Sequence, residues 1–297
     1  MLIEMLSNKS RVPHYGGQAL IEGVLMRGKR YVVAAMRSLD NEIVIIKEEL
    51  LDNEKLSFRN WPLIRGVVIL WDSLVLGMKY LTISANLQTG DDEKIEGNVL
   101  IITVSISLLF AVGLFFVLPT VITAGIEILL GFSNIGRSMV EGLIRLSIFI
   151  LYLWFIGKSP EIARVFAYHG AEHKTINTYE DGKKIELTNV MRYPLEHVRC
   201  GTSFLLTLII FSVLIFAVIG NLSLIQKVIS RIILIPIIAM VAYELIRFLS
   251  DHVDHPLIKL MTYPNLLLQK LTTREPSKEM VEVAISAFNR LMDLENG

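Results

Sequence analysis

The sequence has one cysteine, no excess charge of either sign and no recognisable secretion signal. The single cysteine, Cys200, excludes a disulfide within the chain and so gives no argument against a reducing compartment. Basic and acidic side chains number 29 each, which gives no argument for nucleic acid as a partner. The first residues carry Glu4, Lys9 and Arg11 and lack an apolar core, so no signal peptide is predicted.

Hydrophobic residues, in contrast, are abundant and come in long blocks. They make up 53% of the chain, and the mean hydropathy is +0.53. Four blocks are long enough to cross a bilayer: 97–126, 139–157, 200–226 and 232–249. The sequence therefore predicts a mainly α membrane protein with four transmembrane helices. Pro119 is expected to kink or end the first of these, and in the second Glu141 and Arg145 either pair or Arg145 reaches the interface.

A further apolar stretch, 61–87, is interrupted by three charged residues spaced seven apart, Arg65, Asp72 and Lys79. On a helix these form one thin charged stripe, and three charges make a full membrane crossing expensive. The pattern favours an interfacial or protein-buried helix, followed by a polar link up to residue 96.

Basic residues predict the orientation. Twelve Lys and Arg precede the first span, seven lie in the loop 158–199 and six follow from Arg247 onward. The other two loops hold only Arg137, and Lys227 with Arg231. By the positive-inside rule, both termini and the loop 158–199 are predicted to be cytoplasmic, in a cell (inner) membrane whose lipids surround the spans.

The predicted cytoplasmic regions are residues 1–60 and 250–297, on either side of the helix at 61–96 and the membrane domain at 97–249. Residues 16–28 place four glycines around Glu22 without the Gly-Lys-Ser/Thr of a phosphate loop. Two β-prone runs, 31–37 and 42–48, predict a hairpin, so the N-terminal region is expected to be a small α+β unit. Apolar positions recurring through 280–294 predict an amphipathic helix at the C-terminus.

The most chemically dense stretch is Tyr168–Glu180. Ser159-Pro160-Glu161 is typical of a helix start, and a helix from there to about residue 179 places His169 and His173 on one face. His-x-x-Glu-His is the inverted form of the zinc-hydrolase motif, in which two imidazoles hold the metal and the glutamate acts as general base. The interpretation assigns His169 and His173 as ligands of a divalent metal, zinc by this motif, and Glu172 as the base.

Several side chains compete for the remaining positions of such a site. Glu180 and Glu244 are alternatives for the third ligand, and an ionisable residue inside a span, as Glu244 is, is a functional candidate by default. Further candidates lie at the same predicted membrane face or in the N-terminal region: Glu22, His197, Cys200, His252, Asp254 and His255. Each also has a plain structural interpretation. Glu244 pairs with Arg145 or Arg247, Cys200 packs, or His197 and Cys200 form a weak Cys–His pair for acyl transfer.

Four ordered motifs also resemble the YqhQ-like bacterial membrane proteins. They are Gly-Gly-Gln-Ala-Leu-Ile-Glu-Gly-Val-Leu-Met-Arg-Gly at 16–28, Tyr-His-Gly-Ala-Glu-His-Lys at 168–174, Arg-Cys-Gly-Thr-Ser-Phe at 199–204 and Leu-Thr-Thr-Arg-Glu-Pro at 271–276. The resemblance implies a metal-dependent enzyme of unknown function. The family pattern has a proline before Arg-Cys, where this chain has Val198.

The sequence thus leads to a metal-dependent, zinc-type hydrolase that acts on an amide, ester or phosphoester at the cytoplasmic membrane face. The rival interpretation is a non-enzymatic membrane scaffold or transporter with a structural metal or polar cluster. The polar residues gather at one face of the membrane, and the first and third spans are uncharged. Both features count against a transporter. The substrate and a homo-oligomeric state are left open by the sequence.

Overall fold

The structure, a computed structural model, describes residues 13, 15–50, 61, 63–89, 95, 97–131, 133–219 and 224–297. Most of the polar link predicted at 88–96 lies outside these residues. The described chain begins with four strands and continues with nine helices. The strands are β1 Gly16–Leu20, β2 Gly23–Arg27, β3 Tyr31–Arg37 and β4 Ile43–Glu49. The helices are α1 Ile64–Leu87, α2 Gly97–Leu130, α3 Asn134–Ile156, α4 Pro160–Glu180, α5 Leu187–Val190, α6 Gly201–Ile219, α7 Leu224–Asp251, α8 Pro256–Thr272 and α9 Lys278–Asn296.

The strands form one antiparallel sheet in the order β1-β2-β3-β4. The predicted hairpin is confirmed as β3 and β4, with Arg37 opposite Ile43. The glycine-rich stretch forms a second hairpin, β1 with β2, which was not predicted because glycines conceal the alternation of a strand. Its two-residue turn, Ile21-Glu22, places Glu22 at a φ of 51°, in the left-handed region.

Both faces of this sheet are covered by helices. One face packs against α4 and α9, with Val24, Val33 and Phe288 in a shared core. The other packs against α1, with Leu76 and Tyr80 in contact with the alternate residues of the strands. The C-terminal helix is confirmed as α9, whose apolar stripe is buried on the sheet.

Five helices among the described residues are long and apolar enough to cross a membrane: α1, α2, α3, α6 and α7. Four of them correspond to the predicted spans, and the fifth is α1, the helix at 64–87 that the sequence analysis interpreted as interfacial. The mainly α architecture with a small N-terminal sheet is therefore confirmed, and its long helices are apolar enough for a membrane protein.

Helix α2 continues through Pro119 with a π-helical turn at Gly113–Val117 directly before it. Proline has no N–H, so it leaves the carbonyl of Phe115, four residues earlier, without its usual helical donor. The side chain of Arg145 fills this place, with Nε donating to Phe115 O at 3.0 Å. Arg145 also pairs with Glu141 at 2.7 Å, as one sequence interpretation predicted, and Arg231 of α7 pairs with the same carboxylate at 2.6 Å. These contacts join three apolar helices.

We expect Phe288→Ala to unfold the sheet and the helices packed on it at a lower temperature. The ring is fully buried between α9 and the sheet, and removing such a ring costs about 3–5 kcal/mol. The melting temperature of detergent-purified protein, followed by intrinsic fluorescence, measures the effect. Glu282→Ala, on the exposed side of the same helix, is the matched control; equal shifts in the two variants would contradict this packing.

Candidate metal centre

Helix α4 carries the predicted motif and is buried over almost all of its second half. It runs over Pro160–Glu180, as predicted, with Ser159 at the N-cap and proline in the first turn. Gly182, with a φ of 70°, follows its C-terminal end. Burial on nearly every side means that each polar side chain of this helix requires a partner inside the protein.

The two motif histidines lie side by side, with ring centroids 4.3 Å apart. The Nδ1 atom of His169 is 2.8 Å from the carbonyl oxygen of Thr272, and that of His173 is hydrogen-bonded to the carbonyl oxygen of Leu195. A carbonyl oxygen can only accept, so each Nδ1 carries the proton and donates it. Each ring therefore leaves its other nitrogen, Nε2, as the atom available to a ligand, which is the arrangement that outer partners impose on metal-ligating histidines.

Cys200 completes the group. Its Sγ lies 3.3 Å from Nε2 of His169, and one ligand atom from each of Cys200, His169 and His173 lies within 4.8 Å of the other two. Sulfur and nitrogen ligands of a tetrahedral zinc are about 3.5 Å apart. Among the described residues, these three are the group of His, Cys, Asp or Glu side chains whose ligand atoms converge.

The charges of this group favour a thiolate. Burial opposes ionisation of Cys200, but the attraction of His169 and His173 outweighs it and holds the pKa of the thiol well below its usual value. Burial likewise disfavours a charged His169, yet the adjacent thiolate raises the pKa of its imidazole to about 9. The thiolate is the form of cysteine that binds metals and acts as a nucleophile.

Glu172 lies beside the same group. Its Oε2 is 3.5 Å from Nε2 of His173, and the side chain is almost completely buried. Strand β1 passes directly over it at Gly17. A Cβ at that glycine would lie 2.6 Å from Cγ and 2.7 Å from Oε1 of Glu172. The absence of a side chain at residue 17 is therefore required for the carboxylate to lie where it does.

The loop that holds His173 is itself fixed by α4. Lys174 donates from Nζ to the carbonyl oxygens of residues 191 and 193, at 3.0 and 2.9 Å. Asn177 donates from Nδ2 to those of residues 194 and 196, at 3.2 and 3.0 Å. With His173 on Leu195, three side chains of one helix bind five carbonyl oxygens of the loop. Lys174 and Asn177 were not identified from the sequence, because their partners lie in an irregular segment.

Glu180 and His197 form a neighbouring layer and are not part of the converging group. Glu180 is bound by the guanidinium of Arg199 and lies 3.3 Å from Nε2 of His197. The ring of His197 is centred 5.6 Å from that of His173. Burial lowers the pKa of Arg199 to about 10, although the charges of Asp251 and Glu172 oppose this shift. The prediction of Glu180 as third ligand is thus not supported by its position. The sequence offered His197 as the histidine that pairs with Cys200, whereas the imidazole next to the thiol is that of His169.

Glu244, the other predicted third ligand, lies outside the converging group. Arg65 of α1 binds both of its carboxylate oxygens, with Nε 2.6 Å from Oε1, so the charge of Glu244 is compensated by a guanidinium. An arginine partner was predicted as the alternative, but Arg65 could not be identified from the sequence, because it precedes Glu244 by 179 residues.

The histidines and the aspartate after α7 have structural positions of their own. His252 Nδ1 lies 2.9 Å from the carbonyl oxygen of Phe248, within the end of that helix. His255 caps α8, accepting from the N–H of Leu257 at 3.3 Å. Asp254 is exposed between them. None of the three belongs to the converging group, so their predicted addition to the site is not supported.

Glu22 ties the N-terminal sheet to the start of α4. Both of its oxygens accept from Arg164, at 2.5 and 2.6 Å, and one accepts from the hydroxyl of Tyr168 at 3.2 Å. These hydrogen bonds hold the pKa of Glu22 below its usual value. Tyr168 directly precedes His169, so Glu22 helps to position the part of α4 that carries this histidine. Glu22 itself is not in the converging group.

Gly170→Ala is expected to disturb the site although alanine favours a helix by about 1 kcal/mol. A Cβ at residue 170 would overlap the carbonyl oxygen of Arg274. The backbone N–H of Arg274 donates to the carbonyl oxygen of Phe166 in α4 at 2.9 Å, so this segment is held against the helix. Overpacking of this kind costs about 1–3 kcal/mol, and the segment that moves carries the carbonyl bound by His169.

The melting temperature of the purified protein tests this expectation. Gly125→Ala, in α2, is the matched control because nothing lies within 4 Å of a Cβ at that position. We expect the melting temperature to decrease for Gly170→Ala and not for Gly125→Ala. An increase in the melting temperature of both variants would show that the segment at 272–274 can shift without loss of stability.

Comparison with known proteins shows the family of the chain. It is 36% identical to the "Uncharacterized protein YqhQ" of Bacillus subtilis (strain 168) over 298 residues, which covers 95% of this chain and 93% of that protein. No solved structure matches it. A family profile described as "Protein of unknown function (DUF1385)" matches residues 61–294, which include the motif helix, the loop after it and Cys200. The chain belongs to this family.

Proposed function

We propose that the protein is a metal-dependent hydrolase whose site lies at the cytoplasmic face of a membrane. The observation that supports this most directly is the pair of histidines whose Nδ1 atoms donate to backbone carbonyls, with a ligand atom of each ring within 4.8 Å of the Cys200 sulfur. Carbonyls of residues 195 and 272 fix the two rings independently. Such preorganisation is typical of a metal site and unnecessary for two histidines that only fill a core.

The donor set fits a catalytic zinc ion. Two imidazoles and one thiolate are three protein ligands, and catalytic zinc sites use three with the fourth position open. Bound there, the ion would supply Lewis-acid activation of water and of the substrate's carbonyl or phosphoryl oxygen.

Glu172 would act as the general base. Its carboxylate takes a proton from the attacking water, whose oxygen forms the new bond to the acyl carbon or phosphorus. The bond to the leaving group breaks, and Glu172 returns the proton to that group. Burial of Glu172 beside the ligands keeps this proton from bulk water.

The topology that we propose has four spans, α2, α3, α6 and α7, with both termini in the cytoplasm of a cell membrane. Helix α1 is then interfacial and protein-bound. Its Asp72 pairs with Arg27 of β2 at 3.4 Å, and its Lys79 pairs with Glu48 of β4 at 2.6 Å. Since these charges are neutralised by the cytoplasmic sheet, α1 is held along that sheet and is not free to cross the lipid.

A second candidate is acyl transfer by Cys200 without a metal. The 3.3 Å contact with His169 and the lowered thiol pKa also describe a thiolate–imidazolium pair. The two candidates differ in their response to zinc. A ligand cysteine is protected from iodoacetamide by the ion, whereas a metal-free nucleophile is alkylated at the same rate with and without it.

Metal content is the decisive measurement for the first candidate. Detergent-purified wild type is expected to bind about one equivalent of zinc, and the double variant His169→Ala with His173→Ala to bind none. Glu244→Gln, whose carboxylate is bound by Arg65, serves as the matched control and is expected to retain the metal. Failure of zinc to bind or to stabilise the wild type would favour a scaffold.

Glu172→Gln separates the base from the ligands. With 4-nitrophenyl acetate as a general probe of zinc-dependent hydrolysis, we expect the rate to fall by roughly 100-fold or more. The zinc content should be unchanged, because the amide keeps the shape of the side chain. If metal and activity disappear together, Glu172 is a ligand and the assignment of its role is wrong.

A further inference from the structure

Strand β1 lies at the edge of the sheet, and its pairing with β2 determines which backbone groups point outward. The N–H of Arg37 donates to the carbonyl oxygen of Glu22, so Glu22 directs its backbone groups toward β3. Groups alternate along a strand, so Gly23 and Leu25 direct theirs toward β1. Their partners, Leu20 and Gln18, are therefore the residues bonded within the hairpin.

It follows that Gly17 and Ala19, the intervening residues, direct their N–H and C=O groups away from the sheet. Within the part of the chain that the structure describes, no hydrogen bond reaches these outward groups. Gly16 and Gly17 are exposed, and Ala19 is half-buried. An edge of this kind can accept another strand.

The free edge runs directly to the candidate centre. Gly17 is exposed on one side, and on the other its α-carbon faces the buried carboxylate of Glu172. Helix α4 borders the edge on one face of the sheet. Helix α1 borders it on the other face, where Gln18 packs against Gly77. An extended chain added to β1 would thus lie between two helices and pass Glu172.

We propose that this edge binds the substrate and that the substrate is an extended segment of polypeptide. Hydrogen bonds from Gly17 and Ala19 would pair with alternate amide groups of the peptide and bring a peptide bond beside Glu172. Glycine at residues 16 and 17 leaves no side chain to obstruct the approach. The assignment of the bound peptide as a substrate rests on the proposed hydrolase function, because a peptide bond beside Glu172 leads to a reaction only if the protein hydrolyses it.

Polypeptide fits the edge better than other membrane-surface substrates do. A lipid ester or a phosphoester offers no repeating donors and acceptors at strand spacing, whereas an extended peptide presents one amide group toward the edge every second residue. In hydrolysis, the water oxygen bonds to the carbonyl carbon, the C–N bond breaks, and Glu172 passes the proton to the departing amine.

A proline substitution tests the edge without disturbing the hairpin. Ala19→Pro removes an outward N–H that the sheet does not use, which an edge strand tolerates. Its matched control is Lys47→Pro. Lys47 is exposed on β4, at the opposite edge, and by the same alternation its N–H also points outward. Zinc content and melting temperature confirm that both variants are folded.

The probe is a pool of fluorescein-labelled, proline-free decapeptides, with binding to the full-length protein followed by fluorescence anisotropy. Loss of one hydrogen bond is expected to weaken binding to Ala19→Pro about three- to tenfold, with Lys47→Pro equal to wild type. The same pool with every internal amide N-methylated should bind wild type much more weakly, a result that needs no protein variant. The double variant His169→Ala with His173→Ala should still bind the unmethylated pool.

These measurements separate the edge from the metal centre. Peptide binding that is sensitive to Ala19→Pro and to N-methylation, in a protein that holds no zinc, would support the edge and reject the hydrolase. Zinc-dependent hydrolysis of 4-nitrophenyl acetate without binding of the peptide pool would overturn the edge proposal and leave the hydrolase standing. Equal weakening by both proline variants, or equal binding of the methylated pool, would also overturn it.

Discussion

Burial of a polar helix is the constraint on which the rest of the structure depends. The second half of α4 is enclosed by protein, yet it carries His173, Lys174 and Asn177 in place of apolar side chains. An unpaired buried donor costs about 1–3 kcal/mol, so each of these groups requires an acceptor. The loop at 191–196 supplies its carbonyl oxygens to all three. Helix and loop therefore order one another, and His173 is oriented as a consequence.

The sequence revealed those parts of the site that depend on local periodicity. The spacing of His169 and His173, the start of α4 at Pro160 and the stripe of α9 all follow from 3.6 residues per turn. Cys200 was recognised only as one of several candidates, because the chain between Glu180 and Gly201 has little regular structure. Its approach to His169 depends on how that loop folds back, and no residue pattern encodes this.

The partner of Glu244 shows a second limit of the same kind. A glutamate inside an apolar span is costly alone, and from the sequence a metal ion was one candidate to compensate its charge. In the structure Arg65 compensates it from a helix far away in the chain. The need for a partner was correctly inferred from the charge and its surroundings. The identity of the partner depends on tertiary contacts between α1 and α7, where Gly66 packs against Tyr243.

The bond between His169 and the carbonyl of Thr272 has a consequence for biosynthesis. Thr272 is the last residue of α8, and α8 follows α7, the last of the apolar helices. His169 can therefore reach its final orientation only after α7 and α8 have been made. The core on one face of the sheet can be completed only later, after α9 has been made, because it includes residues of α9. A nascent chain in which α8 has not yet been made therefore lacks the hydrogen bond that orients His169. Any reactivity of the centre is delayed until the membrane domain is assembled.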